Sequence, residues 1–516
     1  MPRDIDTELR RELDRCGFVL LVGDSTAGKT RAAFEAVRAK LPDHTLIVPE
    51  KRDGVAAAVQ KAATIRRCVL WLNDLESYLG AGGLARNHVT ELMTGTNHHR
   101  VIVATLRAAE EDRFSVTSED EERRQLQRDS RAVLEQAHRI FVERRFSAAE
   151  QQRAGALAGE DPRIGDALAH ADTFGVAEYL ACGPQLLAEW DNAWAKGTHP
   201  RAAALIAVAV DIRRAGYTAP LPKILLEELH SGYLDHKGGA RLHPEALDQA
   251  WEWATRPRDS GNAPLHAGTK DAYEVFDYLV DTVQHRTPAG THVPETTITA
   301  VLAHASPSEA SNLATTALAQ GRYLVAETAL RQALASSQDQ HGPDHPDTLA
   351  SRGNLATVLQ DLGRLEEAEA ENRAVLETKV RVLGSDHPDT LTTRSNLALV
   401  VWGLGRLEEA EAENRAVLET RMRVLGPDHP DTLTSRSNLV GALRSLGRLE
   451  EAEAENRAVL ETRMRVLGPD HPDTLTSRSN LVGALRSLGR LEEAEAENRA
   501  VLEASVRVLG SDHPDT

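Results

Sequence analysis

Cysteine is nearly absent: the 516 residues contain three, Cys16, Cys68 and Cys182. An odd number with no metal-ligand spacing argues against a disulfide framework or a cysteine-held metal, and suits a reducing cytoplasm. Basic charge is also short, with 60 Lys and Arg against 78 Asp and Glu and a net charge of −18. Neutralising phosphates takes a surplus of Lys and Arg, so a general affinity for nucleic acid or anionic membrane is not expected; a local basic patch stays open. No apolar run approaches the ~18 residues of a membrane span, and the N-terminus is polar. The expectation is a soluble intracellular chain without signal peptide or anchor, and long enough for several domains.

What is present begins with Gly23-Asp24-Ser25-Thr26-Ala27-Gly28-Lys29-Thr30. An apolar run, Phe18–Val22, precedes it and a helix-like segment, 31–37, follows. Strand, glycine loop and helix come in the order a phosphate-binding loop requires. Gly23 and Gly28 let the backbone wrap an anion, so that N–H groups from Asp24 to Ala27 and the helix N-terminus face phosphates. Lys29 can then reach the terminal phosphates, and the Thr30 hydroxyl can ligate Mg²⁺. The plainer alternative is a glycine turn before a helix.

Further apolar runs at Thr45–Val48, Cys68–Leu72, Val101–Ala104 and Ile140–Val142, separated by polar or helix-periodic stretches, give the rhythm of a mainly parallel α/β sheet. Ligands bind at the carboxyl ends of such strands. The third run ends in Asn73-Asp74-Leu75-Glu76, where Asn73 and Asp74 could hold a metal shell and Asp74 or Glu76 supply the charge that orients water. An ordinary acidic turn is the alternative. The fourth run ends at Thr105-Leu106-Arg107. Arg107 could sense a γ-phosphate through charge-assisted hydrogen bonds, or form a surface ion pair.

Together these residues resemble the STAND class of P-loop NTPases, signal-transduction ATPases with numerous domains. The resemblance implies a glycine loop at Gly23–Thr30, an acidic strand end at Val69–Asp74, and a Thr-x-Arg sensor at Thr105 and Arg107. It also implies a sheet whose sensor strand lies between the first and third strands. Asn73 stands where the class usually has Asp, so slow turnover is expected. No Asn-Lys-x-Asp guanine motif occurs, and ATP/ADP with Mg²⁺ is the expected cofactor.

From 146 to 196 the pattern is helical, interrupted at Cys182-Gly183-Pro184. This is an inter-helix corner in the plain reading; the resemblance implies a helical lid with Pro184 packed on adenine. Residues 197–286 read as helices at Arg201–Ala215, Pro222–Leu229 and Pro244–Thr255, followed by a hairpin around Pro264–His266 and Ala272–Phe276. That order suits a winged helix. The resemblance implies that such a domain closes on the nucleotide through a Met-His-Asp motif, here Val275-Phe276-Asp277, with Asp277 on the Asp and Phe276 replacing the His. The acidic balance speaks against DNA reading. Trp190, Trp194, Trp251 and Trp253 read as packing.

After an expected linker, 287–302, the chain repeats itself. His-Pro-Asp-Thr recurs at His345, His387, His429, His471 and His513, each 42 residues after the last. Residues 404–461 reappear unchanged at 446–503. Each unit reads as two antiparallel helices, with Pro346 at a helix start, Gly363 as a left-handed cap, and Leu349, Ala356, Leu359, Leu365 and Ala368 as the buried stripe. Such hairpins must stack to cover their apolar faces. Residues 303–516 resemble tetratricopeptide repeats in the 42-residue variant of kinesin light chains, an all-α superhelix. The resemblance implies peptide binding on a concave face, for which the ladder Asn354, Asn396, Asn438 and Asn480 is the candidate; a polar helix-packing position is the alternative. The final His-Pro-Asp-Thr starts a helix signal with no helix after it, so either further repeats or pairing with a second chain is expected.

The sequence therefore reads as a multidomain nucleotide-dependent switch: P-loop NTPase over 1–145, lid, winged helix, and a repeat array sensing a protein or peptide. The alternatives are a repeat scaffold with a non-hydrolysing nucleotide site and a nucleotide-controlled winged-helix transcription regulator.

Overall fold

The apolar runs of the first 145 residues form a five-stranded parallel sheet in the computed structural model. It describes residues 1–49, 52–80, 83–94, 98–108, 110–111, 128–258, 260–268, 271–288 and 291–509. The last His-Pro-Asp-Thr, at His513, lies outside them. The strands are β1 (Gly17–Gly23), β2 (Thr45–Ile47), β3 (Arg67–Leu72), β4 (His99–Arg107) and β5 (His138–Phe141). Their order is β2-β3-β4-β1-β5, which puts β4 between β1 and β3. Leu20, Leu70 and Ile102 are buried on one face and Val19, Val69 and Val103 on the other. Continuous burial on both faces is why the central strands β1, β3 and β4 read as unbroken apolar runs.

Two compact units are formed, Met1–Thr348 and Leu349–Thr516. After the sheet, the first unit continues through helices Ala148–Gly155, Pro162–Ala169, Val176–Leu180 and Gly183–Ala193. Three longer helices follow, Pro200–Arg214, Lys223–Lys237 and Leu247–Thr255, with a three-stranded antiparallel sheet of β6 (Leu221–Pro222), β8 (Ala272–Val275) and β7 (Leu265–Ala267), in that order. The second of these helices runs well past the expected Leu229, because Leu234 is buried and Gly238, with φ of 134°, ends it. Trp190 and Trp251 are buried packing residues whose indole N–H groups donate to Ala203 O and Glu227. Next come helix Asp277–Arg286 and then helix Glu295–Leu302.

That last helix corrects the expected linker over 287–302. Ile298, Val301 and Leu302 are buried, so the stretch is part of the core. Helices Pro307–Ala319 and Tyr323–His341, the weaker first repeat, are built into the same unit. Thr218 donates its N–H and hydroxyl to the buried Glu309 at 2.7 Å each.

The second unit contains helix Leu365–Leu383 and then the pairs Pro388–Gly403 with Leu407–Val424, Pro430–Ser445 with Leu449–Leu467, and Pro472–Ser487 with Leu491–Leu509. The His-Pro-Asp-Thr signal has a local cause. The His387 and His429 imidazoles cap their helices, Nδ1 accepting the N–H groups of Asp389 and Asp431 at 3.2 and 3.1 Å, with Pro in the first turn. Thr432, buried, donates to Gly426 O at 2.8 Å. Gly405, Gly447 and Gly489 take φ of 73–78° at the turns between helices. Of the expected stripe, Leu349, Ala356, Leu359 and Ala368 are buried, and Leu365 is half-buried against Gly403. No helix among the described residues is long and apolar enough to cross a membrane.

Candidate functional site

The glycine loop leaves β1 at Gly23 and enters helix Lys29–Lys40. Its two glycines have different reasons to be glycine. A Cβ on Gly23 would stand 2.4 Å from Val142 O, so this position is set by close approach to the chain after β5. Gly28 has φ of 94° and Thr26 of 61°, and it is these that turn the loop's N–H groups. The Lys29 ammonium is buried and donates to Gly23 O and Asp24 O, both at 2.7 Å. Burial lowers its pKa, with Glu76, Asp74 and Asp281 opposing. The N-terminal segment braces the loop: Arg3 donates to Ala27 O at 2.8 Å, pairs with the buried Glu150 at 2.8 Å, and lies 4.3 Å over the Phe146 ring.

The end of β3 lies opposite. Thr30 Oγ1 donates to Asn73 Oδ1 at 2.7 Å, and the Asn73 amide donates to Asp74 Oδ2 at 2.7 Å. Thr105 Oγ1 donates to Asn73 Oδ1 at 3.1 Å and accepts the Asp74 N–H at 2.9 Å. Asp74 has φ of 57°, a conformation that costs a non-glycine residue of order 1 kcal/mol and is held by this network. The network gives Asn73 a physical reason: an Asp there could not donate to Asp74, and two carboxylates would meet. Burial raises the Asp74 pKa and Asp277 adds to the shift, with Arg107 and Lys29 opposing.

Arg107, at the end of β4, is a hub. It pairs with Glu76 at 2.8 Å, Asp281 at 3.4 Å and Glu110 at 3.5 Å. Burial works against its charge, but Glu76, Asp277, Glu110 and Asp281 hold its pKa well above the ordinary value. Burial pushes the Glu76 carboxyl up to about 7 against the pull of Arg107. Asp281 also accepts the Ser25 N–H at 3.0 Å, which ties helix Asp277–Arg286 to the glycine loop. Neither Asp281 nor Arg3 was assigned a role from the sequence. For Asp281 a signal existed: it follows Asp277 by one helical turn, so both face the same way.

One cleft of about 1480 Å³ brings most of these groups together. Ser25, Thr26, Gly28, Lys29, Thr30, Asn73, Asp74 and Arg107 line it, with Leu180, Ala181, Phe276 and Asp277 on the far side. Pro184 is in the first turn of helix Gly183–Ala193, half-buried, and is not among those lining residues; Leu180 and Ala181 take the apolar wall. Its neighbour Gly183 is required by packing, since a Cβ there would meet the Tyr278 ring at 2.9 Å. Tyr278 in turn donates to the buried Glu178, which Arg144 also grips at 2.6 and 2.7 Å. Thr30, Asn73 and Asp74 offer three oxygens within one hydrogen-bonded set, a donor set that fits a hard divalent cation completed by water.

In the second unit Asn354, Asn396 and Asn438 are half-buried on the first helices of their pairs, and Asn480 is exposed. A second asparagine ladder escaped the sequence reading: Asn372, Asn414 and Asn456, on the second helices, are all buried. Arg421 is fully buried and donates to Asp431 O, Ser435 and Thr392 at 2.7–3.0 Å. On the surface, Arg406 pairs with Glu409 in its own helix and Glu369 of the preceding pair, and Arg448 and Arg490 repeat both contacts.

The tetratricopeptide-repeat family model matches residues 308–379, 352–420, 389–463 and 437–505. Residues 308–505 are tetratricopeptide repeats. Among solved structures, the chain is similar to the kinesin-light-chain TPR-like repeats from Podosopora anserina, at 25% identity over 40% of this chain and 96% of that one, TM-score 0.37. It is also similar to BtubC from P. vanneervenii, at 21% identity over 43% of this chain and 85% of that one, TM-score 0.35. No curated protein matches the chain.

Proposed function

We propose that the chain is a nucleotide-dependent signalling switch whose tetratricopeptide repeats bind a protein or peptide partner. One observation carries the nucleotide half: the glycine loop, the acidic end of β3, Arg107 and Asp277 line a single cleft. Loop N–H groups and Lys29 would hold the phosphates of ATP or ADP, and Thr30, Asn73 and Asp74 the Mg²⁺ shell. Leu180 and Ala181 would face the base. Bound Mg²⁺ would supply charge neutralisation on the phosphates. Glu76 is engaged by Arg107, which makes it a poor base as placed and fits slow turnover.

Residues 146–196 serve in this reading as a lid and 197–286 as a winged helix turned to the nucleotide rather than to DNA. The contact of Asp281 with the loop supports that orientation. The repeats supply the partner-binding half, and a partner that favours one nucleotide state would shift the balance between states.

Titration calorimetry of the full chain with ADP and ATP is the test. Lys29→Ala should weaken both about 30-fold or more, because it removes a buried charge from the phosphates, while the helical circular dichroism of the repeats is kept. Equal affinities in parent and variant would end the nucleotide reading and leave the repeats as a scaffold.

A further inference from the structure

We infer that Asp281 is the residue by which this site distinguishes a nucleoside diphosphate from a triphosphate. The inference rests on the nucleotide reading above and concerns the outer end of the same loop. Asp281 is buried on helix Asp277–Arg286, and its two carboxylate oxygens engage two separate donors. Oδ2 accepts the Ser25 N–H at 3.0 Å and Oδ1 takes the Arg107 guanidinium at 3.4 Å. A loop N–H and an arginine at a strand's carboxyl end are the groups that a phosphate oxygen would otherwise engage. Asp281 brings to that place what a terminal phosphate would bring, oxygen acceptors and negative charge.

The inner end of the loop is arranged differently. Lys29 is turned onto Gly23 O and Asp24 O, and Thr30 onto Asn73. Gly28 opens the backbone there with its positive φ. Two phosphates held at this end leave the Asp281 contacts in place. A third one needs Ser25 and Arg107, and in so buried a site two like charges close together are strongly unfavourable. Asp281 must then release both donors, and its helix must shift with it. Two anchors hold that helix one turn before Asp281: the Tyr278 ring lies against Gly183, and its hydroxyl donates to Glu178. Displacing Asp281 therefore works against a packed helix as well as two hydrogen bonds, and this work sets the preference for the diphosphate.

A carboxylate that only stapled the helix to the loop would affect both nucleotides alike, and this separates the two roles. The experiment compares the full-length protein with Asp281→Asn, which keeps the shape and removes the charge, and with Asp281→Ala. Affinities for Mg²⁺–ADP and for a non-hydrolysable Mg²⁺–ATP analogue are measured by calorimetry. Hydrogen exchange of residues 277–286 is followed with each ligand. The parent should favour ADP, and both variants should reduce the ADP-to-ATP ratio by about tenfold, mostly through tighter ATP-analogue binding. In the parent, the ATP analogue should raise exchange in 277–286 and ADP should not. An unchanged ratio in both variants, or a parallel loss for both nucleotides, would overturn the inference while leaving nucleotide binding intact. A parent that binds neither nucleotide would overturn the reading beneath it and the inference together.

Discussion

The cleft of the first unit and the repeats of the second solve their polar problems in opposite ways. Around the cleft each contact is made once, and several join residues far apart in the chain: Ser25 with Asp281, Arg107 with Asp281, Arg3 with Glu150, at separations of 256, 174 and 147 residues. In the repeats a few short-range contacts recur with the 42-residue period, as in the histidine caps and the pairing of Arg406, Arg448 and Arg490. The cleft is consequently sensitive to single substitutions that no local rule foretells. The array spreads its stability over many equivalent and individually modest terms.

The sharpest way to break this comparison is a pair of glycine substitutions. Gly23→Ala would drive a methyl to within 2.4 Å of Val142 O, so the β1–β5 edge must open. A loss of about 3 kcal/mol or more is expected, with the glycine loop displaced. Gly441→Ala, inside helix Pro430–Ser445, meets nothing within 4 Å and should instead stabilise by about 0.5–1 kcal/mol. Urea denaturation followed by fluorescence and by circular dichroism reads both, and equal effects would remove the contrast.

A smaller effect concerns pH. Glu76 has its pKa raised from 4.5 to about 7, so the folded chain holds this proton more tightly than the unfolded chain does. Its contribution is most favourable below about pH 4.5 and falls as pH rises through that window. Glu76→Gln should remove the slope. Relative to the parent, the variant should gain on the order of 2 kcal/mol between pH 4 and pH 8. Parallel stability curves for the two proteins would show that burial of Glu76 is without consequence.

The smallest expected effect lies in the array. His429→Ala removes the acceptor for the Asp431 N–H and should cost about 1 kcal/mol. Because neighbouring repeats are coupled, hydrogen exchange should rise in helix Pro430–Ser445 and in the helices flanking it, and stay unchanged around the cleft.

These differences also explain what could be read from sequence. The three central strands, β1, β3 and β4, were legible because both faces of each are buried, which leaves unbroken apolar runs such as Phe18–Val22. The repeats were legible because Gly, Pro and His act within a few residues of where they stand. Leu365 was over-read, since its packing against Gly403 leaves it half-exposed. The linker over 287–302 was misread because helix Glu295–Leu302 is short and its burial depends on distant partners. Asp281 was given no role, since nothing local announces that Ser25 and Arg107 face it. Buried Asn414 was hidden among charged neighbours in a helix that reads as a solvated surface.

The paired arginines have a consequence for how such a chain can change over time. Arg406, Arg448 and Arg490 each reach back 37 residues, to Glu369, Glu411 and Glu453. Each contact therefore joins one 42-residue block to the block before it, by the same rule every time. Copying or excising a whole block leaves the junction chemically identical to the ones already there. Unequal recombination between the near-identical stretches could lengthen or shorten the array without a single compensating substitution, so that its reach is free to vary while the cleft is not.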